Sequence, residues 1–152
     1  FSQLNGKSWD QSMIAARGNF LLTTAAARTL ELNPGPNRGH IILFSDWAAK
    51  STPYPGYIPY LTSKAAIDFM VKAFAVELAP KQILVNGIAP GPTIRPPEMP
   101  TEVWQTEVVN KAPLKRESST EDIAEIIHVL LKSQTVTGEI VRVDSGRHLA
   151  GP

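Results

Sequence analysis

The sequence predicts an α/β fold built on a parallel sheet, and two observations predict it. Segments of helical periodicity alternate with short apolar runs in the order helix, strand, helix, strand, helix, strand. That alternation implies parallel strands with helices on the sheet faces. The runs Ile41-Ile42-Leu43-Phe44 and Ile83-Leu84-Val85 are unbroken rather than alternating, as strands buried on both faces are.

Each element has a local reason. Ser8-Trp9-Asp10-Gln11 reads as a capping box with Ser8 as N-cap, and a helix is expected to about Leu32. Its stripe is Trp9, Met13, Ala16, Phe20 and Thr24, with Ala25 to Ala27 allowing close packing. Asn33-Pro34-Gly35-Pro36-Asn37 ends it as a turn. After the first strand, a loop rich in Pro, Tyr and Gly runs from Trp47 to Pro59. The next helix is expected from Tyr60 to Leu78, ending before Pro80. The second strand leads into Ala89-Pro90-Gly91-Pro92, and the proline-rich stretch at 90–100 predicts an irregular loop. A short helix is expected over 102–110. Ser119-Thr120-Glu121-Asp122 caps another running to about Lys132, with Ile123, Ile126, Ile127 and Leu130 inward. Glu139 to Val143 alternates as a final strand.

Composition narrows the function. With 152 residues, 43% of them hydrophobic and 19% charged, the chain suits one soluble domain spanning 1–152. A net charge of +1 and the lack of a basic run argue against nucleic acid as partner. No cysteine is present, so disulfides and thiol chemistry are excluded. His40, His128 and His148 are too scattered for a metal site. No apolar stretch has membrane-spanning length and no signal peptide is visible, so the expected location is cytoplasmic. The start at Phe1-Ser2, without Met, reads as a cut.

The stretch Tyr60-Leu61-Thr62-Ser63-Lys64 carries the chemistry. Residues four apart share a helix face, so phenol and ammonium point into one space. A nearby ammonium lowers a phenol's pKa, and such a phenol exchanges a proton with a carbonyl oxygen near neutral pH. Alone, the pair also fits an ordinary surface helix.

The context decides. The strand ending at Ser45-Asp46, Tyr60-x-x-x-Lys64, Val85-Asn86-Gly87-Ile88-Ala89-Pro90-Gly91, Ser119-Thr120-Glu121-Asp122-Ile123-Ala124 and Val136-Thr137-Gly138-Glu139 through Val143-Asp144-Ser145-Gly146 follow in order. In this the chain resembles the C-terminal part of a short-chain dehydrogenase/reductase, from about Trp9 to Leu149. The resemblance implies a Rossmann-type doubly wound parallel sheet, of which the chain covers only the C-terminal portion, without the dinucleotide-binding half. It implies Tyr60 as acid/base, and Lys64 as the residue that hydrogen-bonds the nicotinamide ribose and lowers the pKa of Tyr60. Pro90 and Gly91 would line the nicotinamide of NADP or NAD, and 92–113 would form a substrate lid.

Departures from the family pattern shape the reading. No Gly-x-x-x-Gly-x-Gly turn occurs here, and the residue choosing NAD or NADP is not visible. The family's Ser stands about thirteen residues before Tyr; here Ser45 precedes Tyr60 by fifteen and Asp46 by fourteen. Asp46 is similar to the Asp of pteridine reductases, where a carboxyl beside Tyr60 would help protonate a ring nitrogen. Side chains alternate along a strand, so only one of Ser45 and Asp46 should face the cofactor, and Asp46 is favoured. The family's helix Asn is Ala15 here, with Asn19 one turn on, and its Thr after Pro-Gly is Arg95. Thr93 sits nearer and could contact the carboxamide. Tyr54, Tyr57 and Trp104 are candidates to stack a planar substrate, while Trp47 reads as packing.

These features lead to an NAD(P)-dependent carbonyl or imine reductase, with a pteridine- or dihydrofolate-type reductase as the alternative and a non-catalytic fragment as the reading from another class. The apolar surplus on the helices at 8–32 and 60–78 marks a further packing partner. With the resemblance, it predicts a homodimer through these helices, doubled to a homotetramer through the final strand and the 119–132 helix.

Overall fold

A computed structural model describes residues 4–150. Helix α1 spans Gly6–Leu30, strand β1 Gly39–Phe44, helix α2 Ile58–Leu78, strand β2 Ile83–Pro90, helix α3 Thr101–Glu107, helix α4 Thr120–Lys132 and strand β3 Ile140–Val143. The three strands form one parallel sheet in the order β1-β2-β3. Helices flank it: α1 and α2 pack on each other and over β1 and β2, and α4 packs on β2 and β3. The α/β expectation is met, in Rossmann-like form.

Helix α1 begins earlier than expected. Asn5, not Ser8, is the N-cap. Its side chain accepts from Ser8 N at 3.0 Å, and Ser8 Oγ accepts from Asn5 N at 3.1 Å. Ser8 thus fills the third position of a box that starts three residues upstream, the role assigned to Gln11. The buried stripe is also rotated from the expected one. Ala16, Thr23 and Ala27 are buried, while Trp9 is 43% and Phe20 49% exposed. Small side chains let α1 approach α2 closely, so the large ones are left on the rim.

Helix α2 starts two residues before Tyr60 because Pro59 suits the first turn, where its missing N–H costs nothing. Ile67 and Val71 are fully buried against β1 and β2, a burial worth about 1.5–3 kcal/mol for each. Strand β2 runs on five residues past the expected end, to Pro90. The polar Asn86 hides this in the sequence. Both ends of its amide are bonded: Nδ2 donates to Val136 O at 2.8 Å and Oδ1 accepts from Glu139 N at 3.1 Å. A buried polar residue with both groups bonded costs a central strand little.

Helix α4 follows the expected pattern. Ser119 caps it reciprocally with Asp122, Leu130 is buried, and Ile123, Ile126 and Ile127 are its other partly covered positions.

Candidate active site

The site forms where β1 and β2 end and α2 begins. Ser45 N donates to Ile88 O at 2.8 Å and Trp47 N to Pro90 O at 3.2 Å, so the strand geometry continues past Phe44 and side chains keep alternating. Ser45 is buried and its hydroxyl donates to Lys64 O at 3.2 Å. Asp46 points the other way. Its Oδ1 accepts from Ala48 N at 2.8 Å, and its Oδ2 accepts from the Tyr60 hydroxyl at 2.9 Å. Of the two candidates, Asp46 reaches Tyr60, while Ser45 fixes the backbone of α2 at Lys64.

Lys64 donates from Nζ to Phe44 O at 3.2 Å and lies 5.8 Å from the centroid of the Tyr60 ring. The electrostatics run against the expected tuning. Burial pushes the Tyr60 phenol above its ordinary range, and the Asp46 charge and hydrogen bond add to this, with Tyr54 behind them. Asp46 is the nearer partner, so the phenol is held protonated rather than drawn toward neutrality. Burial lowers the pKa of Lys64, opposed by the charges of Asp46 and Asp68.

Pro90 and Gly91 lie at the carboxyl end of β2. A Cβ on Gly91 would sit 2.5 Å from Asp144 Cβ and 2.6 Å from its Cα, so only glycine allows this approach. Gly91 N donates to Val143 O at 2.9 Å, which fastens the β2 end to β3. Thr93 Oγ1 donates to Gly91 O at 3.0 Å. Arg95 donates into its own loop, to the carbonyls of Met99 and Pro96. Asn19 Nδ2 donates to Ala15 O at 2.8 Å, so it serves its own helix and stays apart from the site.

A run of aromatic rings leads to Tyr60. Trp47 stacks on Tyr54 at 5.8 Å, Tyr54 meets Tyr57 edge-on at 5.0 Å, and Tyr57 meets Tyr60 at 6.3 Å. Trp47 is buried packing, with the Arg147 guanidinium 4.8 Å from its ring. Trp104, expected as a possible stacking residue, is buried and bonds Glu117 through its indole N–H.

Two features escaped the sequence reading. Asp68 extends the stripe Tyr60, Lys64, Asp68 at four-residue steps, and that spacing was the available signal. The pairing of buried Asp144 with half-buried His148, 2.7 Å apart, closes the turn after β3; Asp144 stands in the Val143-Asp144-Ser145-Gly146 motif, but its partner was not read from it.

A family model described as enoyl-(acyl carrier protein) reductase matches residues 1–148. The chain belongs to the short-chain dehydrogenase/reductase family. It is 37% identical to pteridine reductase 1 of Leishmania tarentolae over 105 residues, which cover 67% of this chain and 36% of that protein. It is 35% identical to dihydromonapterin reductase of Citrobacter koseri over 136 residues, covering 86% of this chain and 52% of that one. Among solved structures, FolM alternative dihydrofolate reductase 1 from Brucella canis, complexed with NADP, aligns with a TM-score of 0.85 at 26% identity. That alignment covers 98% of this chain and 58% of that one. The chain therefore spans about half the length of the relatives it matches. Among the described residues, no helix is long and apolar enough to cross a membrane.

Proposed function

We propose that this chain supplies the proton-donating, nicotinamide-facing part of an NADP- or NAD-dependent reductase acting on a pterin-like ring. The observation that carries the reading is the 2.9 Å hydrogen bond from Tyr60 to Asp46. Tyr60 carries the proton that reduction needs, and the Asp46 carboxyl group fixes where its hydroxyl points. The reductases of pterins and folates among the relatives support the same substrate class.

The residues present fit the nicotinamide end of such a cofactor. Tyr60, Lys64 and the Pro90-Gly91 backbone converge beyond the carboxyl ends of β1 and β2, where open α/β sheets take their ligands. When bound, the cofactor supplies hydride. Tyr60 gives its proton to the ring nitrogen whose neighbouring carbon is reduced. Asp46 holds the Tyr60 hydroxyl in place by accepting its hydrogen bond, and solvent returns a proton to the Tyr60 oxygen. Lys64 holds positive charge near the phenolate that forms for that interval. Ser45 keeps α2 seated so that both side chains stay aimed. Tyr54 and Tyr57 offer flat apolar surface for a ring substrate, Thr93 braces the turn after Gly91, and the segment 92–113 covers the substrate.

The pyrophosphate and adenosine are held by groups other than these 152 residues, which contain no glycine-rich turn. The complete enzyme is a homodimer through α1 and α2, doubled to a tetramer through β3 and α4. Exposed Ile14, Leu21 and Leu22 on α1, and Phe69 and Val76 on α2, are the contacts.

The test is a panel of NADPH-driven reductions by the full-length protein that carries these residues. Turnover of dihydrobiopterin or dihydrofolate, with weak activity on simple ketones and acetoacetyl thioesters, is expected. Turnover of ketones alone would return the site to plain carbonyl reduction. The chain of 152 residues by itself should bind NADPH too weakly to register at submicromolar concentration by tryptophan fluorescence.

A further inference from the structure

A cleft of about 500 Å³ opens between α2 and β3 and reaches the site at Asp46. Asp46, Lys50, Asp68, Lys72 and Arg142 line it. Asp68 is its least expected wall. Its Oδ1 is shut off from solvent yet has no hydrogen-bond partner. A carboxylate placed this way is costly unless its charge is used.

Position explains the use. Asp68 follows Lys64 by four residues on α2, as Lys64 follows Tyr60, so the three side chains share one stripe. Asp46 stands at the Tyr60 end of that stripe and Asp68 at the far end, with Lys64 between them. Neither carboxylate forms a direct ion pair with Lys64: its Nζ bonds the Phe44 carbonyl, which carries no net charge. A half-buried ammonium on a neutral acceptor tends to lose its proton.

We propose that Asp68 is a positioning residue of this site, which together with Asp46 brackets the Lys64 ammonium and keeps it charged. The catalytic value of that charge rests on the reductase reading; the bracketing itself does not. Lys64 sees Asp46 and Asp68 as its charged neighbours, and both favour its protonated form. Asp68 sees Ser45 from the end of β1, Arg142 from β3, Lys72 from its own helix and Lys50 from the loop after β1. All four favour its ionised form against the burial that opposes it.

The test reads Lys64 directly. Lysines of this chain are tagged with isotope-labelled methyl groups, and the Lys64 resonance, assigned with Lys64→Arg, is followed against pH by NMR. Asp68→Asn should lower the Lys64 midpoint by about one pH unit, roughly tenfold in proton affinity. Asp68→Glu should restore most of it. In the unsubstituted chain, the carboxyl carbon of Asp68 should move at the pH where Lys64 loses its proton, a reading that survives if the Asn variant fails to fold. An unmoved Lys64 midpoint in Asp68→Asn, or a silent Asp68 carbon, overturns the proposal. Turnover in the full-length protein is measured apart. A shifted Lys64 in a protein that reduces nothing would keep the bracket and remove the reductase reading, and turnover with an unmoved Lys64 would do the reverse.

Discussion

Helix α2 carries two stripes of opposite character. Tyr60, Lys64 and Asp68 form one, half-buried and tied to the ends of the sheet through Asp46, Ser45 and the Phe44 carbonyl. Phe69, Ala73 and Val76 form the other, apolar and open, with Phe69 71% and Val76 77% exposed. The first spends polar groups on each other inside the chain. The second has apolar surface to bury and nothing among the described residues that buries it. In the proposed function one side of this helix serves chemistry and the other association, and substitutions should separate the two.

The largest effect belongs to the first stripe. Tyr60→Phe in the full-length protein should cut kcat by about 100-fold or more and leave its assembly unchanged by light scattering. A Phe variant of nearly full activity would remove the phenol from the mechanism. Next comes the pair at the strand end. Asp46→Asn should cost at least about tenfold in kcat, while Ser45→Ala should cost only a fewfold, because one touches Tyr60 and the other seats the helix. Equal losses would erase the distinction drawn between them.

On the second stripe, Val76→Glu should break the assembly to smaller species while the isolated fold survives. Phe74 is a poor probe for this purpose. It packs against the core and lies 5.9 Å from Phe20, so a charge there would test folding instead. An unchanged oligomer in Val76→Glu would remove α2 from the interface.

The smallest effect lies on neither stripe. At the start of α4, hydrogen bonds from the Ser119 backbone and hydroxyl hold the Asp122 carboxyl below its ordinary value of 3.8. The folded pKa is depressed, so this contribution is present above 3.8 and lost as pH falls through the lower folded value. Asp122→Asn should flatten that acid dependence in urea midpoints measured on either side, and leave activity alone.

Much of this was legible in the sequence because the signals are local. Apolar runs located β1 and β2, capping chemistry located α4, and Tyr60-x-x-x-Lys64 located the site. What failed was what depends on partners distant in sequence. The end of β2 was invisible because Asn86 looks like a strand breaker until Val136 and Glu139 are placed beside it. The buried face of α1 could not be read because alanines serve either side equally well. The tuning of Tyr60 was misjudged in direction because Lys64 is close in sequence whereas Asp46, fourteen residues away, is the bonded neighbour. Trp104 looked available only while Glu117 was not known to hold it.

Among the described residues, the order of the sheet leaves β1 with a neighbour on one side only. Its six residues, Gly39 to Phe44, include no lysine, no proline and no acid. Nothing in them discourages another extended segment from zipping onto the open row of amides and carbonyls. Handled at high concentration, the chain therefore carries a seam prone to self-templating and precipitation.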